Sequence, residues 1–309
     1  MYDTVNMYLS REQVPDISYL KEIPQYLTSV SNEGVSCFGE YINGYLGTLK
    51  VSISERRVKI SDSSLCKYYL GDNFKSLARG DTKRAIEKIC DELHLPFSKA
   101  PITRLDIAHN MMMKYPEKNY YQYLGEAQYY KRLEQSNGLY YNTQKRQLVF
   151  YGKEYEQRTK HKPIPDLYKK RSVLRYELRF KSRLKEQFKR SEITAALLYD
   201  QDFYSYLLKR WEKEYFAIQK ITNKMTSLVP NGSTKNFIEN LALLSLLDIG
   251  QPKVLATVKE WQSTGKVTKK QASDIRSKVK KLSMQPISDK GNFLIDELDK
   301  KIVQVARCG

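Results

Sequence analysis

Two stretches decide the fold, 146–151 (RQLVFY) and 174–180 (LRYELRF), because each alternates with a period of two. In the first, Gln147, Val149 and Tyr151 fall on one side and Leu148 and Phe150 on the other. In the second, Arg175, Glu177 and Arg179 oppose Leu174, Tyr176, Leu178 and Phe180. Successive side chains of a strand point to opposite faces, so both read as strands with one polar and one apolar side. The stretch 103–108 (TRLDIA) repeats the pattern, with Arg104 and Asp106 against Leu105 and Ile107. Residues 45–53 and 57–60 alternate in the same way. Residues 81–95 instead place Ala85, Ile86, Ile89, Cys90 and Leu93 on one helical face, with Asp81 at the N-cap.

Beyond residue 191 the period changes. Phe203, Leu207, Trp211, Tyr215 and Ile218 recur at helical spacing through 202–222, and the turn residues Pro230, Asn231, Gly232 and Ser233 follow. The remainder reads as helices with basic faces, punctuated at Gly250, Pro252, Gly265 and 286–288. The expected architecture is α+β. A largely antiparallel sheet core with flanking helices occupies 1–190, helices bridge 191–229, and a helical region that binds DNA or a partner fills 230–309. Gly265-Lys266-Val267-Thr268 leading into 269–282 suggests a helix-turn-helix, with a solvated basic helix as the alternative.

The chain has 53 Lys and Arg against 35 Asp and Glu over 309 residues, a formal charge of +18 that attracts polyanions at long range. Residues 145–190 alone hold 16 cations and five acids, so more than half of the excess is local. Lys145, Arg146, Arg158, Lys160, Lys162, Lys169, Lys170, Arg171 and Arg179, with Arg104 upstream, are the candidate DNA contacts. Tyr140, Tyr141, Tyr151, Tyr155, Tyr168 and Tyr176 are interleaved with them, as suits stacking on single-stranded bases. No apolar run approaches the roughly 20 residues of a membrane span, and no basic and apolar leader opens the sequence. Cys37, Cys66, Cys90 and Cys308 are scattered, without a C-x-x-C pair. A reducing cytoplasm is the expected compartment.

Asp106, Tyr151 and Glu177 stand on polar strand faces. Carboxylates are hard ligands, so Asp106 and Glu177 would suit Mg²⁺ or Mn²⁺, which also bind phosphate. A tyrosine beside them can attack a phosphodiester, provided its phenolate is favoured; Lys153, Arg175 and Arg104 are candidates for that and for stabilising the pentacovalent phosphate. The same Arg-x-Asp and Arg-x-Glu alternation also describes a cross-strand ion-pair ladder. His94, His109 and His161 are dispersed, which excludes a paired-histidine metal motif, although His109 follows Asp106 closely enough to lie near a metal. Walker, G-x-S-x-G and H-E-x-x-H motifs are lacking, which argues against ATP, serine and zinc hydrolysis.

At these residues the sequence resembles the gene II/X family of phage and plasmid replication proteins, and more distantly the initiators of staphylococcal rolling-circle plasmids. The matching pieces are Thr103-Arg104-Leu105-Asp106, then 148–151 with Gly152-Lys153 and Glu156, then Leu174-Arg175-Tyr176-Glu177. The resemblance covers roughly 1–190. It implies that Tyr151 is the nicking nucleophile and that Asp106, Glu156 and Glu177 lie in active-site motifs and serve as candidate metal ligands. Plasmid initiators often carry an acid where this chain has Asn110, which removes a ligand at that place. Tyr155 is either a second nucleophile or a packing tyrosine.

The expected activity is rolling-circle initiation on double- and single-stranded origin DNA: cutting one strand through Tyr151, leaving a 5′-phosphotyrosine and a free 3′-hydroxyl, and later rejoining. Host helicase, polymerase and a second copy of the chain are further partners that this activity admits. A conjugative mobilisation relaxase and a non-catalytic DNA-binding regulator are the competing readings.

Overall fold

The computed structural model describes residues 1–221, 234–283 and 293–308. The turns expected at 230–233 and 286–288, and a boundary near 230, lie outside the described residues. The strands are β1 (Tyr2–Ser10), β2 (Ser29–Ser36), β3 (Gly39–Leu46), β4 (Leu49–Ser54), β5 (Arg57–Ser61), β6 (Ile102–Met113), β7 (Leu124–Ala127), β8 (Lys131–Gln135), β9 (Gly138–Asn142), β10 (Arg146–Gly152) and β11 (Ser172–Phe180). Ten of them, all but β7, form one antiparallel sheet in the order β2-β3-β4-β5-β1-β6-β11-β10-β9-β8. The α+β architecture read from the sequence is the one found.

The helices are α1 (Tyr19–Glu22), α2 (Leu65–Leu70), α3 (Arg79–Leu93), α4 (Lys118–Tyr121), α5 (Lys153–Thr159), α6 (Leu184–Phe188), α7 (Gln201–Phe216), α8 (Thr234–Ile249), α9 (Gln251–Ser263), α10 (Lys269–Ser283) and α11 (Phe293–Cys308). None of the described helices is long and apolar enough to cross a membrane. Two compact units result, Met1–Gln219 with Glu297–Gly309, and Lys220–Asp296.

In the first unit, the apolar face of β6, β11 and β10 is sealed by α7. Phe150 and Tyr176 stack at 4.5 Å, the Trp211 ring lies 4.7 Å from Tyr176, and the Tyr176 hydroxyl donates to the Trp211 carbonyl. Full burial of such rings stabilises a fold by a few kcal/mol each. The opposite, polar face is roofed by α2 and the segment after it: Ser64 donates to Asp3 of β1, and the Asn73 carbonyl accepts from Arg175. The site therefore sits on a long, doubly covered sheet centre.

Three local expectations are corrected. Residues 45–53 are a hairpin, because Gly47 turns the chain at φ +56° between β3 and β4. Asp81 is the third residue of α3 rather than its N-cap; from there its carboxylate accepts the Ala78 N–H, and the N-cap lies three residues earlier, at Ala78. The helical spacing through 202–222 ends at Phe216, and Ile218 is already in extended backbone.

In the second unit α8, α9 and α10 pack on one another around buried Leu243, Leu246, Val258, Ala272 and Val279.

Candidate active site

The antiparallel register sets the site. Across β6, β11 and β10, Asp106 pairs with Arg179 and Arg179 with Gln147, Glu177 stands between Ala108 and Val149, and Arg175 stands between Asn110 and Tyr151. Period-two alternation turns all of these to the polar face. Glu177, 2% exposed, is the hub. Its Oε1 accepts from Arg175 Nε at 2.6 Å and from the Tyr151 hydroxyl at 2.8 Å, while Oε2 accepts from Arg179 Nε at 2.7 Å. Asp106 accepts both Arg104 Nε at 3.1 Å and Nη2 at 2.8 Å. The ion-pair ladder and the candidate site are thus the same residues.

Burial pushes the Glu177 carboxyl up, but the Arg175 and Arg179 charges outweigh it and hold it at about 2. Burial, reinforced by the Glu177 charge, pushes Tyr151 well above the usual phenol range. The phenol is therefore protonated in the DNA-free protein, the reverse of the charged form that nucleophilic attack needs. Burial likewise pushes Asp106 up to about 6 against the pull of Arg104.

Lys153 is 1% exposed and pairs with Glu156 at 2.7 Å, on α5 directly after the Tyr151 strand. Burial, then the Arg175 charge, lowers it to about 8, whereas Lys153 and Lys160 hold Glu156 at about 2 despite burial. Arg175, 2% exposed, is saturated: besides Glu177 it meets Asp3 at 2.8 Å, Asn110 Oδ1 at 3.1 Å and the Asn73 carbonyl at 3.2 Å. Both side chains lie beneath the surface, where they position their neighbours.

Tyr151 opens on a cleft of about 240 Å³ lined by Asn137, Tyr140, Val149, Tyr155, Glu156, Thr159, Lys160 and Arg179. An adjoining cleft of about 310 Å³ shares Tyr155 and Asn137 and adds Lys118, Arg158, Lys170 and Arg171. The basic cluster is thereby divided. Lys145 and Arg146 line a separate cavity with Arg210 and Tyr129, and each is paired with an acid, Glu186 and Glu214. Lys169 pairs with Asp166, Arg158 with Glu154 and Lys160 with Glu156, while Lys162 is exposed. Among the tyrosines, 140, 151 and 155 reach the cleft, but Tyr141 and Tyr176 are sealed in the core, and Tyr168 stacks on Phe74 at 4.8 Å. His109 points to the apolar face, where it meets Ser76 at 2.9 Å, so it is not beside the carboxylates.

The carboxylates as arranged do not fit a divalent cation. Guanidinium groups occupy both Asp106 oxygens and both Glu177 oxygens, Glu156 is engaged by Lys153, Lys160 and Gln157, and no group of three His, Cys, Asp or Glu side chains suited to a metal converges among the described residues.

Sequence reading missed Asp3 and Asn73, and gave Asn110 no role beyond that of a lost ligand. Asn110 shows why an amide is needed there: its Nδ2 donates to the carbonyls of Asn73 and Phe74 while its Oδ1 accepts from Arg175, a dual role closed to a carboxylate. Only the departure from the acid seen in plasmid initiators pointed to that position.

The family model for the N-terminal part of the phage gene II replication-associated protein matches residues 1–205. Comparison with curated proteins gives no match.

Proposed function

The chain belongs to the gene II family of phage replication-associated proteins, and from that membership we propose that it initiates rolling-circle replication by nicking one origin strand with Tyr151. The observation that carries this reading is the Tyr151 hydroxyl, bonded to Glu177 at the wall of a cleft that also presents Arg179 and Lys160.

In the proposed reaction the scissile phosphate enters that cleft. The Tyr151 oxygen forms a bond to phosphorus, the bond from phosphorus to the 3′-oxygen breaks, and the products are a 5′-phosphotyrosine and a free 3′-hydroxyl. The phenolic proton passes to Glu177 and the departing 3′-oxygen takes a proton from water. A carboxylate held at about 2 is a poor base. A phosphate that draws Arg179 toward itself removes one of the two guanidinium charges from Glu177, which raises its basicity at the moment the phenol must lose its proton. Arg179 and Lys160 then face the charge that grows on the pentacovalent phosphate. Arg175 keeps Glu177 in place throughout. Rejoining is the same exchange in reverse, with a 3′-hydroxyl attacking the phosphotyrosine. Tyr140 and Tyr155 offer faces for the unpaired bases beside the cut.

Tyr151→Phe tests the reading. Relaxation of a supercoiled plasmid that carries the origin is expected to be lost while origin binding is retained. Nicking at the wild-type rate would leave the DNA-binding regulator as the better account.

A further inference from the structure

The second unit lies outside the residues matched by the family model, and its own chemistry points to a task. Both sides of the turn between α9 and α10 are fixed by backbone and side-chain hydrogen bonds. At the end of α9, Gly265 adopts φ +73°, its N–H donates to the Gln262 carbonyl and the Lys266 N–H donates to the Trp261 carbonyl at 2.9 Å. That pair of bonds is a Schellman stop, which needs a residue tolerant of the left-handed region. At the start of α10, Thr268 Oγ1 accepts the Gln271 N–H at 3.2 Å and Gln271 Oε1 accepts the Thr268 N–H at 2.8 Å, a reciprocal capping box. The two helices are therefore joined by a stiff five-residue turn and held by the buried Val258, Ala272 and Val279.

The outer side of α10 is basic and short-chained. Ala272 and Val279 turn inward, whereas Lys269, Lys270, Ser273, Asp274, Ser277, Lys280 and Lys281 are exposed, with Arg276 and Lys278 at the flanks. Lysines thus stand at both ends of a strip whose middle carries the small hydroxyls of Ser273 and Ser277 and the single carboxylate of Asp274, an acceptor that suits an amino group on a base edge. From 251 to 283 there are nine cations and two acids, and none of these lysines is engaged in an ion pair among the described residues. A helix shaped in this way can enter the major groove, with its hydroxyls near base edges and its end lysines on the two flanking phosphate chains.

We propose that the second unit is a helix-turn-helix module for double-stranded DNA in which α10 lies in the major groove and α9 braces it against the backbone. The inference does not depend on the chemistry assigned to Tyr151, which acts on a single strand. The partner it commits to is B-form duplex; a protein partner for α10 is an outcome of the test.

The test uses the full chain, a fluorescein-labelled duplex about two helical turns long and its separated strand, with binding followed by anisotropy over a range of salt. Reversing two end lysines, Lys270→Glu with Lys280→Glu, is expected to weaken duplex binding about tenfold or more and to reduce the slope of log affinity against log salt by about two, one for each lost phosphate. Lys270→Ala with Lys280→Ala should give the same change of slope with a smaller loss of affinity. Both pairs lie on the surface, so an unchanged thermal melt accompanies the expected result, and cleavage of the separated strand stays at the wild-type rate. Duplex affinity and salt slope equal to wild type in both variants would overturn the proposal, as would an equal loss on the separated strand. Failure of nicking in Tyr151→Phe leaves the duplex readout untouched, so the two readings fall separately.

Discussion

At the residue scale the site is a set of charges balanced against one another before DNA arrives. Tyr151 is protonated because burial and Glu177 both oppose its ionisation. Because Glu177 is ionised across the neutral range and takes the phenolic proton in the attack itself, the single-turnover nicking rate is expected to stay level from about pH 6 to about pH 9. A rate that climbed about tenfold per pH unit through that range would show that the phenol ionises before attack and that Glu177 is not its base. The two guanidiniums on Glu177 should separate in their effects. Arg175 is buried on all sides, so Arg175→Ala leaves buried Asp3 without its guanidinium partner and Glu177 with Arg179 alone, and is expected to cost about 3–5 kcal/mol of stability in a denaturant melt. Arg179 borders the cleft, and Arg179→Ala should slow nicking while freeing Glu177 Oε2, so that Mn²⁺ titrated into the DNA-free variant binds more tightly than to wild type. Equal Mn²⁺ affinity in the two proteins would mean that the guanidinium does not block the carboxylate. The alternation of 174–180 exposed Arg175, Glu177 and Arg179 as one face, and it was correct. What it could not expose is that Arg175 bonds residues 102 and 65 positions away in sequence, Asn73 and Asn110, because no local pattern records which distant strand or loop roofs a face.

At the scale of elements, β9 sets how closely the chain can approach the tyrosine. A methyl group at Gly138 would stand 2.6 Å from the Phe150 carbonyl oxygen and 3.1 Å from the Tyr151 Cβ, and backbone cannot yield as a flexible side chain does. Gly138→Ala is therefore expected to push β9 away from β10, and to lower nicking of a pre-melted strand by at least about tenfold, a barrier change near 1.4 kcal/mol. Wild-type nicking in that variant would show that the β9 edge does not hold Tyr151 in register. Strands β6, β10 and β11 were legible because their two faces meet different surroundings, one apolar under α7 and one polar. The hairpin at 45–53 was not, because Tyr45, Leu49, Val51 and Ile53 keep one parity across the turn at Gly47 and only the sign of φ reveals the reversal. The start of α3 was hidden for a comparable reason, since an acid that accepts a helix N–H from the third position is the same residue type as one that does so from the cap.

At the scale of the whole molecule, the charge of +18 overstates the cations free to meet phosphate, because Lys145, Arg146, Lys160, Lys169, Arg175 and Arg179 are already engaged by acids. Composition displayed the excess but could not distinguish a paired cation from an open one. Those that remain open, with Lys162, Lys170 and Arg171 among them in the first unit and α10 in the second, predict duplex binding that weakens steeply with salt, as release of counterion requires. A flat response would remove the basic surfaces from the account. The central claim is the covalent role of one tyrosine, and the most direct measurement is to incubate the intact protein with single-stranded origin oligonucleotides, digest it, and locate any nucleotide-bearing peptide by mass spectrometry. The account predicts a 5′-phosphate adduct on Tyr151 that disappears in Tyr151→Phe. An adduct on Tyr155 or another residue, or strand cleavage that persists in the variant, would contradict it.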